Sequence, residues 1–220
     1  MALVYHLHPQ TPQMRKIEQI RDALRQGAVM LYPTDTVYAI GCDLNVKSAV
    51  ERVRRIKQIS NDKPLTFLCS SLSNIASYAS VNDANYRLIK RLIPGPYTFL
   101  LPATKLVPRL VMEPKRRTTG IRVPDHAISQ ALLTALGNPI ISTSATTAVQ
   151  QPDAYFSKND LFDHLEKLVD IVIDDDLPIQ FEVSTVLDLT REEPVAVRRG
   201  LGWEMVANLV AEAAEAEVPQ

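Results

Sequence analysis

Residues 31–43 read Leu-Tyr-Pro-Thr-Asp-Thr-Val-Tyr-Ala-Ile-Gly-Cys-Asp. An apolar run from Ala28 to Tyr32 stops at Pro33, three small polar residues follow, and apolar residues resume until Gly41. Upstream, Met14, Ile17, Ile20 and Leu24 recur at helical intervals behind Thr11-Pro12, which reads as a cap followed by the first helical residue, and Gly27 ends the pattern. The stretch therefore marks where an amphipathic helix has fed a buried strand, 28–32, and where that strand opens into a polar loop. In an open α/β sheet ligands bind in the crevice outside the strand ends, so Thr34 and Thr36 fall where donors converge on a small molecule. The same triplet also suits a turn that satisfies its own backbone.

Outward from this point, strand and helix patterns alternate. Val46, Ala49, Val50, Val53 and Ile56 mark a second amphipathic helix whose outer face carries Glu51, Arg52, Arg54, Arg55 and Lys57. A strand at 65–69 and helices at 72–78 and 83–93 follow, and Pro94-Gly95-Pro96 forbids continuation. Strands are expected at 97–101, 120–123, 139–142, 170–173, 183–189 and 194–198, with helices at 127–136 and 161–169. This order predicts an α/β fold with helices on a largely parallel or mixed sheet. Residues 147–160 form a loop long enough for a lid, and the tail 203–216 reads as an acidic, Ala-rich helix.

Composition sets the outer bounds. With 220 residues, 46% apolar and 22% charged, the chain suits a soluble globule, and no interdomain linker stands out. A net charge of −1 excludes the global basic field of a non-specific nucleic-acid binder, so any polyanion must meet a local basic patch. Cys42 and Cys69, far apart and without metal-ligand spacing, argue against a disulfide scaffold and a zinc site and fit reduced cytoplasm. Neither a leader pattern nor a run long enough to span a membrane occurs. The common phosphate-loop, dinucleotide, metalloprotease and nucleophile-elbow motifs are missing.

Four polar clusters fall at the ends of expected strands: Thr34-Asp35-Thr36, Arg122, Ser142 to Ser144, and Ser184-Thr185. Lys57 and Lys63 bracket a turn, and Arg198-Arg199 ends the last strand. An arginine inside the apolar run Gly120-Ile121-Arg122-Val123 is costly to bury alone, so Arg122 must pair with a carboxylate such as Asp125 or face an anion-filled cleft. Lys115-Arg116-Arg117 suits a solvated loop or a grip on a phosphate backbone. Asp174-Asp175-Asp176 reads as a solvated turn, and no metal site is expected.

Taken in order, Y-P-T-D-T-V-Y-A-I-G-C-D, R-I-K, K-P-L, P-G-P-Y-T-F-L-L, R-V-P-D-H, I-S-T-S-A, S-T-V-L-D-L and V-R-R-G resemble the motifs of the YrdC/YciO family over about residues 5–202. The resemblance implies one YrdC-like domain over 1–220, a single twisted sheet with flanking helices and a deep, partly basic cleft. Its best-known members join threonine, bicarbonate and ATP, with magnesium on the ATP and no tightly bound cofactor, into threonylcarbamoyl-adenylate for tRNA modification. Some members have been described as binding double-stranded RNA, which would engage Arg54, Arg55, Lys115, Arg116 and Arg117.

By this resemblance Lys57 and Arg122 would be catalytic. Thr34, Thr36, Tyr38, Lys63, Ser142, Ser144, Ser184, Thr185 and Arg198 would bind substrate or nucleotide, with Tyr32 and Tyr38 walling a small amino acid. The carbamate formed on threonine attacks the α-phosphorus, so the protein supplies position and charge neutralisation rather than a nucleophile. Two positions depart from the synthase pattern. Where K-x-R is expected the chain has Lys57-Gln58-Ile59, and where S-x-N is expected it has Ser144-Ala145-Thr146. Ile59 brings no charge and Thr146 no amide, which resembles the YciO-like branch, and the alternative is a nucleotide- or double-stranded-RNA-binding protein without synthase activity.

Overall fold

The computed structural model describes residues 1–58, 64–145, 157–209 and, for the backbone, 211–212. Ile59, Lys63, Thr146 and all but the end of the 147–160 loop lie outside the described residues.

The strands are β1 (Leu3–His6), β2 (Met30–Tyr32), β3 (Ala39–Asp43), β4 (Thr66–Leu68), β5 (Tyr97–Pro102), β6 (Thr118–Arg122), β7 (Ile140–Ser144), β8 (Ile171–Asp174), β9 (Thr185–Asp188), β10 (Val195–Arg198) and β11 (Ala211–Glu212). The helices are α1 (Met14–Arg25), α2 (Lys47–Ile56), α3 (Leu72–Tyr78), α4 (Asp83–Leu92), α5 (Ala127–Leu136), α6 (Lys158–Leu165) and α7 (Trp203–Val206). All the strands join one sheet in the order β1-β8-β2-β3-β7-β4-β6-β5-β9-β10-β11.

The sheet is mixed. β1 and β2 flank β8 in parallel, and β4–β6, β5–β9 and β10–β11 are parallel; β2–β3, β3–β7, β4–β7, β5–β6 and β9–β10 are antiparallel. Strand β3 is one of the elements the sequence conceals. It is buried at every position, so it lacks the alternation that marks a half-buried strand. Gly41 stands inside it rather than ending an apolar run: a β-carbon there would lie 2.8 Å from the Tyr32 ring and 2.9 Å from Ile140, so only glycine lets β3 sit between β2 and β7.

Successive residues of each strand go to opposite faces. Leu31, Phe67, Phe99, Ile121, Ile141, Val172 and Leu187 pack on one face with Val50 and Val53 of α2, Ile75 of α3, Ile89 of α4 and Leu161 of α6. Met30, Tyr32, Ile140, Ile171 and Ile173 pack on the other with Ile17, Ile20 and Leu24 of α1 and Ile128, Leu132 and Leu136 of α5. The segment 175–184 joins β8 to β9, and Ile179 within it packs against the first of these faces.

Several local expectations change. α1 is capped at Gln13 without a side-chain bond, because Thr11 turns its hydroxyl to the His8 ring at 3.0 Å. α6 starts at Lys158, not at 161, because Ser157 and Asp160 form a reciprocal capping box. Of the tail expected as one helix over 203–216, Trp203–Val206 is helical, Ala207–Leu209 tightens to a 3-10 turn and Ala211–Glu212 pairs with β10 as β11, while 210 and 213–216 lie outside the described residues. No helix among the described residues is long and apolar enough to cross a membrane.

Candidate functional site

A cleft of about 280 Å³ lies over the sheet face that α1 and α5 leave uncovered. Its floor follows the two-residue period of the strands: Thr66 and Leu68 from β4, Thr98 and Leu100 from β5, Ser142 and Ser144 from β7, and Ser184 and Val186 at β9. The sequence placed the site at the strand ends; the structure places it across the strands. Thr66, Thr98, Thr143 and Ser144 line it, and Thr66 and Thr98 stand outside the polar clusters of the sequence although each is a hydroxyl at an inward position of an otherwise apolar strand.

Arg122 ends β6 in this cleft, 7% exposed. Its guanidinium donates to Thr36 Oγ1 at 2.9 Å and to Asp35 Oδ1 at 2.5 Å. The partner is Asp35, not the exposed Asp125. Burial pulls the Arg122 pKa down and the Asp35 carboxylate opposes it. The opening triplet thus divides its work. Thr34 closes the turn, donating to the Val37 carbonyl at 2.7 Å and accepting the Thr36 N–H at 3.1 Å, while Asp35 and Thr36 hold the arginine. Ser129 of α5 fixes the loop by donating to the Pro33 carbonyl at 2.9 Å.

The opposite wall is built differently. Arg198 Nη2 donates to Ser184 Oγ at 3.0 Å and its Nε to the Ser184 carbonyl at 3.0 Å, and Ser184 Oγ lies 2.9 Å from Thr98 Oγ1. Burial, together with the charge of Arg122, lowers the Arg198 pKa. Two guanidinium groups thus face one cleft, and no carboxylate occurs among its described lining residues. Such a lining stabilises an anion by charge and by oriented hydroxyl donors.

Other expected site residues lie elsewhere. Ser142 is on the floor and accepts the Tyr32 hydroxyl at 2.7 Å, which makes Tyr32 a support beneath the floor rather than a wall. Tyr38 lines the neighbouring cavity and donates to Asp175 at 3.0 Å. Thr185 donates to the carbonyls of Gly200 and Leu201 at 2.9 and 3.0 Å and accepts the Gly200 N–H at 3.1 Å, so its hydroxyl serves the loop that carries Arg198. That loop comes so close to Val183 that a β-carbon at Gly200 would collide with its carbonyl. Lys57, at the end of α2, is half-buried outside the described cleft lining, and burial lowers its pKa to about 8.

Of the residues expected to meet RNA, Arg54 is 4% exposed and donates to the Leu110 carbonyl at 2.7 Å, which removes it from the surface. Arg55, Lys115, Arg116 and Arg117 are exposed. Arg116 also reaches Asp188 at 3.6 Å.

The Sua5/YciO/YrdC family model, described as "Telomere recombination", matches residues 22–200. The chain is 42% identical to the uncharacterized protein YciO of Escherichia coli over 92% of this chain and 97% of that one, and the E. coli YciO crystal structure superposes with a TM-score of 0.83. A threonylcarbamoyl-AMP synthase of Vibrio vulnificus is 35% identical over 61% of this chain and 73% of its own. The structure of P. abyssi Sua5 complexed with L-threonine matches with a TM-score of 0.84 at 26% identity, covering 96% of this chain and 63% of that one. A family match over most of the length, a YciO relative along nearly all of it and two solved structures of similar fold agree: the chain belongs to the Sua5/YciO/YrdC family.

Proposed function

We propose that the cleft binds ATP and L-threonine side by side and, with bicarbonate, forms threonylcarbamoyl-adenylate and pyrophosphate for tRNA modification. The observation that carries this reading is the pair Arg122 and Arg198 over a hydroxyl-lined floor with no carboxylate among its described lining residues. Threonine has a precedent in the Sua5 complex with that amino acid, and adenylate formation has one in the Vibrio relative's name. Carbamate attack on the α-phosphorus needs its reactants aligned and its charge spread over fixed donors. Arg198 would neutralise phosphate, Arg122 and Thr36 would orient the amino acid's carboxylate, and Ser142, Ser144 and Ser184 would hold the remaining oxygens. Lys57, at the end of α2, would approach the triphosphate. Magnesium would arrive on the triphosphate as part of the substrate.

Calorimetric titration with magnesium-ATP, with and without threonine, tests the binding, and pyrophosphate release in bicarbonate tests the chemistry. Threonine-coupled ATP binding with release above background is the expected result. ATP binding indifferent to threonine, without pyrophosphate release, overturns the synthase reading and leaves a nucleotide-binding relative. Exposed Arg55, Lys115, Arg116 and Arg117 favour a second reading, double-stranded RNA binding, which predicts affinity that falls with salt and with charge reversal at those four positions.

A further inference from the structure

Behind the 34–36 loop lies a second cavity, about 380 Å³, between that loop, His126 at the start of α5 and the segment after β8. Thr34 and Thr36 border both cavities, whereas Arg122 and Arg198 line the first and not the second. The second cavity presents carboxylates in place of guanidinium groups, with Arg122 beside Asp35 and Lys158 near Asp175. Asp35 gives Oδ1 to Arg122, and its Oδ2 is buried without a hydrogen-bond partner on a side chain only 10% exposed. Asp175, 4% exposed, accepts the Tyr38 hydroxyl and the Leu177 N–H on Oδ1. Its Oδ2 stands 3.6 Å from His126 Nε2, and His126 Nδ1 is buried without a partner. Lys158 approaches Asp175 Oδ1 at 3.8 Å without lining the cavity. Leu177, Pro178 and Leu201 supply an apolar side.

A buried carboxylate oxygen without a donor is expensive, and the group that relieves it must carry N–H or O–H donors, of which a cationic N–H makes the stronger bond to a carboxylate. No Arg or Lys among the described lining residues would receive an anion or the carboxylate of an amino acid. The one cluster whose ligand atoms converge as a metal requires is His6, Asp174 and Asp176, among the described residues, so a bare ion does not suit this wider cavity. We propose that it is a binding site for a small organic ammonium ion: a primary amine with a short aliphatic body, its N–H groups on Asp35 Oδ2 and Asp175 Oδ2 and its carbons against Leu177, Pro178 and Leu201.

The test is titration of nucleotide-free protein with n-butylamine and 1,4-diaminobutane, with n-butanol, butyrate and L-threonine as comparison ligands. Saturable binding of the amines, with the alcohol and the acid at least about tenfold weaker, is expected, because both lack the cationic donor. Leu177→Trp, at a position 45% exposed that lines this cavity and not the cleft, would fill it and abolish amine binding while leaving ATP binding intact. Asp35→Asn would weaken amine binding as well. Equal binding of butanol and butylamine, amine binding that survives Leu177→Trp, or threonine binding that Leu177→Trp abolishes would overturn the proposal. None of these outcomes depends on adenylate formation, so failure here and failure of the synthase reading are separable.

Discussion

One face of the sheet has two halves. Over β8, β2 and β3, α1 and α5 press Ile17, Leu24 and Leu132 onto Met30, Tyr32 and Ile171. Over β4, β6, β5 and β9, the same face is bare and carries Thr66, Thr98, Arg122 and Ser184. The change happens within one strand: Ile140 of β7 belongs to the apolar half, while Ser142 and Ser144, at the same parity, line the cleft. The strands continue in pleat and hydrogen bonding; what differs is whether a helix covers them. Helix cover selects aliphatic side chains, and its absence leaves room for hydroxyls that water or a ligand must satisfy.

The largest expected effect comes from the most deeply buried charge of the open half. Arg122→Ala strands Asp35 in the interior, and unfolding in urea should show a loss of about 3–5 kcal/mol, the cost of breaking a buried pair from one side. Leu132→Ala in the covered half should cost about 2–5 kcal/mol through the cavity it leaves, with nucleotide affinity of the folded protein unchanged. If Leu132→Ala altered ATP binding as strongly as stability, the two halves would not be separable.

Arg198→Ala should divide the two properties the other way. It loses only hydrogen bonds to Ser184 near the surface, so stability should fall by less than about 1 kcal/mol, while calorimetry should show ATP affinity reduced about tenfold or more. Tyr32→Phe cuts the hydroxyl that crosses from the covered half to Ser142 and should cost about 1 kcal/mol without a cavity.

Lys57 gives a pH test. Its pKa lies near 8 in the folded chain, against 10.5 ordinarily, so the unfolded chain holds a proton that the folded chain releases between those values. Its contribution to stability therefore rises as pH climbs from about 8 toward 10.5, and the lysine Cε resonance should titrate near 8. Titration near 10.5 would show that the amine stays hydrated.

The periodic elements were legible because their signal is local. α3 and α5 fall at the residues their apolar spacing indicates, and most other bounds agree within a few residues. β1 and β3 were not read as strands, the first because it is short and largely exposed at an edge, the second because it is buried on both faces. The motif residues Thr34, Thr36, Arg122, Ser142, Ser144, Ser184 and Arg198 do converge on one cleft. What the sequence could not convey was direction. Asp35 rather than Asp125 meets Arg122, Thr185 turns to the Gly200 loop, and Arg54 turns inward, because each depends on partners roughly 15 to 90 residues away that only the fold brings near.

The segment 175–184 has a consequence of length alone. β8 and β9 are separated in the sheet by six other strands. Laid flat at about 4.8 Å per strand, their ends would stand roughly 34 Å apart. The eleven peptide steps from Asp174 to Thr185 reach at most about 36–40 Å when fully drawn out, and the turn at Asp176, with φ of 58°, takes some of that away. Asp175 and Leu201 nevertheless line one cavity of about 380 Å³, and Leu201 pairs with Ser184 beside β9, so the two ends stand far closer than a flat sheet would allow. The sheet must therefore curl strongly between β8 and β9, so that a short connection closes a gap which, in a flat sheet, would demand almost the chain's full reach.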